Sequence, residues 1–167
     1  GAGTHDTSVY AEVLKKDLKL ALTLMADEVI NPAFPEDALK KLKEKAKAGL
    51  KAAKSNPDTL ADTLFGMAAY PEGHPYGRPL ETDAQVDGVT IAALTKFHSD
   101  FYRSNNSFLI LSGDVTTAEA QALVEPAFAK WKPVTGTAPV NPLNGFRSYK
   151  LPEKLVVHLV DRPGSAQ

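Results

Sequence analysis

Of the three Asn-Pro dipeptides in this chain, the first two, Asn31-Pro32 and Asn56-Pro57, limit its possible folds more than any other feature. Proline lacks a backbone donor, clashes with the preceding helical turn and pushes the residue before it towards extended conformations. A helix therefore has to stop at each dipeptide. Between them, Pro35, Glu36 and Asp37 supply a first-turn proline and acidic residues suited to the positive end of a helix. Leu39, Leu42, Ala46, Leu50 and Ala53 then recur at helical spacing, so a helix is predicted over Pro35–Lys54 with that stripe inward. Upstream, Leu14, Leu18, Ala21, Leu22, Met25 and Val29 mark a helix that ends at Asn31. Downstream, Leu60, Leu64 and Met67 or Ala68 mark a shorter one.

The remaining pattern mixes strand and helix signals. Asp6 to Val13 alternates loosely and reads as a half-exposed strand. Thr90 is a plausible cap for a helix carrying Leu94, Phe97 and Phe101 inward, ended by the polar run Arg103 to Ser107. Phe108 to Asp114, FLILSGD, is an unbroken apolar run closed by glycine, the signature of a buried strand. Thr116 or Thr117 can cap a helix whose inward stripe is Ala120, Val124, Ala127, Phe128 and Trp131, with Pro126 bending its interior. Pro133 to Gly145 reads as a surface connection, and Leu155 to Val160 as a last strand. The expectation is an α+β fold, a sheet covered by helices on one face.

At 167 residues, 43% of them hydrophobic, the chain can bury a core of one domain or one lobe. The 19 basic and 20 acidic residues leave a net charge of -1, which argues against a nucleic-acid or anionic-membrane partner. Lys40, Lys43, Lys47, Lys51 and Lys54 form a basic ridge along the second helix, read as a solvated face. With no cysteine there is no disulfide, thiolate nucleophile or cysteine-ligated metal, and compartment stays open between bacterial periplasm and cytoplasm. No apolar run reaches membrane-spanning length. The start GAGTHDTSVY and the turn-rich end DRPGSAQ are expected to be cut edges of a longer chain.

The four histidines, His5, His74, His98 and His158, are too far apart for two of them to share one helical turn, so no zinc site can be assembled from local sequence. His98, between Phe97 and Phe101, and His158, within a strand pattern, read as core or boundary residues. His74 lies in YPEGHPYGRP, where Gly73 and Gly77 give freedom and Pro75 restricts the histidine itself. With no acidic or histidine neighbour at a useful spacing, His74, Pro75, Tyr76 and Gly77 are expected to be architectural. SGDV lacks the glycines and lysine of a phosphate loop, and no serine sits in a nucleophile elbow.

HDTSVYAEVL, the Asn31-Pro32 and Phe34 junction, the second Asn-Pro, HPYGRP, FHSDFYRSNN, LILSGDV and FAKW occur in an order and spacing that resembles the pitrilysin/insulinase family of zinc peptidases, which includes the mitochondrial processing peptidases. The resemblance covers essentially the whole chain. It implies one N-terminal-type lobe, with a mixed, largely antiparallel sheet, of a clamshell that closes on unfolded peptide. Residues 1–150 would be most of that lobe, and 151–167 its last strand and the start of a linker to a second lobe. Active lobes of the family carry H-x-x-E-H, whose histidines bind zinc and whose glutamate activates water. A later helix adds a third ligand glutamate, seven positions after another glutamate. Counting from Phe34 and from Asn56, the resemblance places those two positions at Leu42 and Gly49.

Neither residue can ligate a metal, so the resemblance implies no catalytic residue, no metal ligand and no cofactor in this chain. Zinc would belong to a homologous partner subunit or lobe. The expected function is a zinc-free, inactive lobe that binds peptide and pairs with that partner. An active zinc metalloendopeptidase, with H-x-x-E-H before Gly1, and a purely structural assembly subunit remain the alternatives.

Overall fold

A computed structural model describes residues 1–3, 6–136, 145–146 and 154–159. Six α-helices occur among them: α1 (Leu18–Ile30), α2 (Glu36–Ser55), α3 (Pro57–Ala69), α4 (Asp83–Gly88), α5 (Ile91–Phe101) and α6 (Thr117–Phe128). Short 3₁₀ turns at Lys15–Asp17 and Ser104–Asn106 precede α1 and follow α5. The chain divides into two compact units, Gly1–Ala48 with Thr82–Pro139 and Gly49–Glu81 with Val140–Gln167, the division falling within α2.

The expected sheet does not form among the described residues. Among the described residues the sole β pairing is an isolated antiparallel bridge between Ala2 and Thr7, and no strand forms. The α+β expectation, with its sheet under a layer of helices, is therefore overturned in favour of a helical architecture. The physical reason lies in what a strand needs. β-branched and aromatic side chains favour a pleated, half-buried surface, and that surface exists only where a second strand completes the hydrogen-bond ladder. The expected strands at 6–13, 108–114 and 155–159 have no such neighbour among the described residues, and Phe108 is 88% exposed. Val160 lies outside the described residues.

In the first unit, α1 packs against α6 and carries the core, with Leu22, Ala26 and Val29 buried and Leu18, Ala21 and Met25 half-buried beside them. The stripe Ala120, Val124, Ala127 and Phe128 on α6, continued by Trp131 just beyond its end, is half-buried as its spacing predicts. The helix starts at a reciprocal capping box, Thr116 with Glu119, and runs through Pro126 to stop two residues later. The Trp131 indole N–H donates to the Tyr102 carbonyl at 3.2 Å, fixing the chain after α6 to the end of α5.

Helix α5 presents a face other than the expected one. Ile91, Leu94 and His98 are half-buried, whereas Phe97 and Phe101 stand outward, tilted against each other with ring centroids 4.7 Å apart. His98 takes the inner position because its Nε2 donates to the Val29 carbonyl at 2.7 Å, one of the otherwise orphaned acceptors at the end of α1. In the second unit, α3 is capped by Asn56, whose side chain accepts from the Thr59 amide. Its packed side runs through Leu60, Thr63 and buried Gly66, with Leu64 and Met67 turned outward, again rotated from expectation.

Candidate functional site: the α2 flank and the His74 loop

Helix α2 begins as its sequence predicts, with Glu36 and Asp37 in the first turn. Its placement differs from the predicted stripe. Leu39, Leu50 and Ala53 are half-buried, but Ala46 is exposed and Leu42 is 62% exposed. Leu42 and Gly49 are separated by seven residues, about two helical turns, and so share one flank. That flank is open, since a Cβ built on Gly49 meets no atom within 4 Å. The packed side instead uses part of the lysine ridge: Lys43 Nζ donates to the Asp87 carbonyl at 2.8 Å, and Lys47 pairs with the Asp87 carboxylate. These two lysines are anchored rather than simply solvated.

Zinc ligands must be thiolate, imidazole or carboxylate. Leu42 and Gly49 supply none of these, and no group of three or more His, Cys, Asp or Glu residues among the described residues could hold a metal. The residues present on this flank do not fit zinc.

The His74 loop is the other singular feature. His74 is 7% exposed, the one buried polar side chain among the described residues. Tyr70, the C-cap of α3, stacks on the imidazole with centroids 4.6 Å apart, Phe146 meets it edge-on at 4.8 Å, and Tyr76 lies at 5.3 Å. The Tyr76 amide donates to His74 Nδ1 at 3.1 Å. Backbone bonds from His74 N to Pro71 O and from Gly77 N to His74 O, each 3.0 Å, close two successive turns. Gly73 takes a left-handed φ of 81°, which favours glycine. Beneath the loop, Gly66 of α3 comes so close that a Cβ there would lie 2.7 Å from the Tyr76 carbonyl oxygen.

The other sequence-selected groups scatter. His98 sits at the α1–α5 junction, tilted against Tyr102 and edge-on to Phe34. His158 is exposed, and His5 lies outside the described residues. The sequence reading missed Gly66, Phe146 and the whole of α4. For α4 a signal was present, because Thr82-x-x-Gln85 is a capping-box spacing and both reciprocal bonds form. Electrostatics single out two exposed groups. The Thr116 backbone and hydroxyl donate to Glu119 Oε2 at 2.8 and 2.9 Å, and with Lys15 nearby they hold that carboxyl below the ordinary carboxylate range. The Tyr10 hydroxyl donates to Glu12, and that hydrogen bond, with the carboxylate's charge behind it, pushes the phenol up.

Comparison with known proteins agrees with the motif order. Residues 3–84 match the profile described as insulinase, peptidase family M16, and residues 88–166 match that of the peptidase M16 inactive domain. The chain belongs to the insulinase family of peptidases. It is 34% identical over 141 residues to a protein of Mycobacterium bovis named as an uncharacterized zinc protease, spanning 83% of this chain and 32% of the relative. A Mycobacterium tuberculosis protein of the same description matches to the same extent. A Rickettsia bellii protein also named as a zinc protease is 28% identical over 128 residues, 76% of this chain and 31% of its own. The chain thus spans about a third of the length of these relatives. No solved structure matches it. No described helix is long and apolar enough to cross a membrane.

Proposed function

We propose that this chain is most of one lobe, residues 1–150, of a zinc-free and catalytically inactive insulinase-type protein that binds unfolded peptide and pairs with a zinc-bearing homologous subunit or lobe. Residues 151–167 lead towards a second lobe. The observation that carries this reading is the α2 flank: where the family resemblance places two glutamates, the chain has Leu42 and Gly49, with no donor atom on either. The description of the profile matched by residues 88–166 as an inactive domain supports the same reading. In it, His74, Pro75, Tyr76 and Gly77 are architectural, and the catalytic role falls to the partner.

The test is metal analysis and peptide cleavage with the full-length protein, alone and mixed with a zinc-bearing homologue. The expected result is less than a tenth of an equivalent of zinc in the protein alone and cleavage only in the mixture. One equivalent of zinc together with cleavage by the protein alone would overturn the proposal. That outcome favours the second reading, an active zinc peptidase, which the names of the relatives support.

A further inference from the structure

We infer that the lysine row along α2 takes an acidic stretch of peptide. This rests on the peptide-binding role proposed for the lobe and adds the class of sequence bound. Between residues 40 and 54 the helix carries seven lysines and a single acid, Glu44. Three of the lysines are engaged within the protein: Lys41 with Asp37 at 3.8 Å, Lys47 with the Asp87 carboxylate and Lys43 with the Asp87 carbonyl oxygen. Of the remaining four, Lys45 lies on another side of the helix. Lys40, Lys51 and Lys54 form one row with Lys47, at separations of seven, four and three residues along a continuous helix. All three are exposed, and neither their side chains nor that of Glu44 has a hydrogen bond or ion pair among the described residues. Like charges three and four residues apart destabilise a helix. Within the row that repulsion is relieved by contact only at Lys47.

Length and total charge select the partner. The whole chain carries a net charge of -1, so the excess on α2 is offset by acidic residues elsewhere. A long polyanion such as nucleic acid, or a broad anionic surface, would overrun the row and meet them. A short acidic peptide would not. At 1.5 Å per residue the row from Lys40 to Lys54 is about 21 Å long. Extended backbone advances about 3.3 Å per residue and turns alternate side chains to one side, so about six residues span the row and about three carboxylates face it. Those carboxylates fall roughly 6.6 Å apart, and the flexible four-carbon stems of the lysines take up the mismatch with the helical spacing. A lysine ammonium is a point charge without the fixed fork of arginine, so the row reads acidity rather than one particular side chain.

The test is fluorescence anisotropy on the full-length protein with three labelled peptides that share a Gly-Ser frame and carry Glu, Gln or Lys at every second position. At low salt the Glu peptide should bind about tenfold more tightly than the Gln peptide, the scale of three exposed ion pairs. Near 0.5 M salt, where screening shortens the reach of charge, that advantage should vanish. Replacing the three free lysines together, Lys40→Gln, Lys51→Gln and Lys54→Gln, should abolish it with little cost to the helix. The control, Lys16→Gln with Lys19→Gln, removes two exposed lysines outside α2 and should leave it intact. Equal binding of the Glu and Gln peptides by the unsubstituted protein would overturn the inference whether or not the variants fold, while sparing the peptide-binding role. An advantage that survives the triple substitution, or that the control loses equally, would overturn it too, as would tighter binding of single-stranded DNA of the same charge. A protein that binds none of the peptides overturns the peptide-binding role and this inference together.

Discussion

Gly66 and Gly49 both lie in helices, yet their neighbours treat them in opposite ways. At Gly66 the Tyr76 carbonyl occupies the space a side chain would need, and the clash is with backbone rather than with a movable chain end. At Gly49 a Cβ meets nothing within 4 Å. The first glycine is demanded by packing against the His74 loop. The second makes its helix less stable than alanine would and contributes no contact in return, so its presence is a statement about what the flank lacks rather than about what it holds.

The largest expected effect is at the crowded glycine. Gly66→Ala should destabilise the fold by about 2 kcal/mol in chemical denaturation, despite the better helix propensity of alanine, because the loop must lift to admit the methyl group. A neutral or stabilising result would remove the contrast. Gly77→Ala sharpens it from the other side of the same contact: its Cβ would lie 3.2 Å from Tyr70 Cβ and 3.3 Å from the Gly66 carbonyl oxygen, closer than ordinary contact but less severe. A cost of about 1 kcal/mol is expected in the same assay. Gly49→Ala should have the opposite sign, a gain of roughly 0.5–1 kcal/mol from helix propensity alone. A loss there would mean that the flank is occupied in the full-length protein.

The smallest effect concerns a group that is exposed like Gly49 but tied like Gly66. Glu119 has a carboxyl held below its ordinary range by the Thr116 bonds and Lys15. A depressed carboxylate contributes stability that is present above its unfolded value and is lost as pH falls through the folded one. Acidification below the ordinary carboxylate range should therefore loosen the first turn of α6, read as a fall in Thr116 amide protection, and Glu119→Ala should weaken that protection already at neutral pH.

The helices were legible because their signals are local. One Asn-Pro pair ends α1 and another opens α3, Thr90 and Thr116 cap α5 and α6, and the stripe on α1 is the buried one. Which side of a helix faces inward was less legible, since it depends on partners distant in sequence. Phe97 and Phe101 have the bulk of core residues, but the inner place on α5 goes to His98, which satisfies a carbonyl that no phenylalanine could. The strands failed for the same reason in stronger form, because a run such as FLIL specifies one side of a ladder and nothing in it supplies the other. At the candidate site, the missing ligand atoms of Leu42 and Gly49 were plain from their identities. The enclosure of His74 by Phe146 was not, because nothing in the loop announces so remote a residue.

Phe34 carries a φ of 44°, a left-handed conformation that a bulky side chain resists and that a following proline further disfavours. Its ring meets His98 edge-on, and His98 is bonded to the last turn of α1. The corner leading into α2 is thus riveted by an aromatic pair at the expense of local backbone comfort. Cutting the rivet with glycine would relax the joint and surrender its direction at once, so the course of the chain beyond residue 34 is governed by a side chain belonging to a different helix.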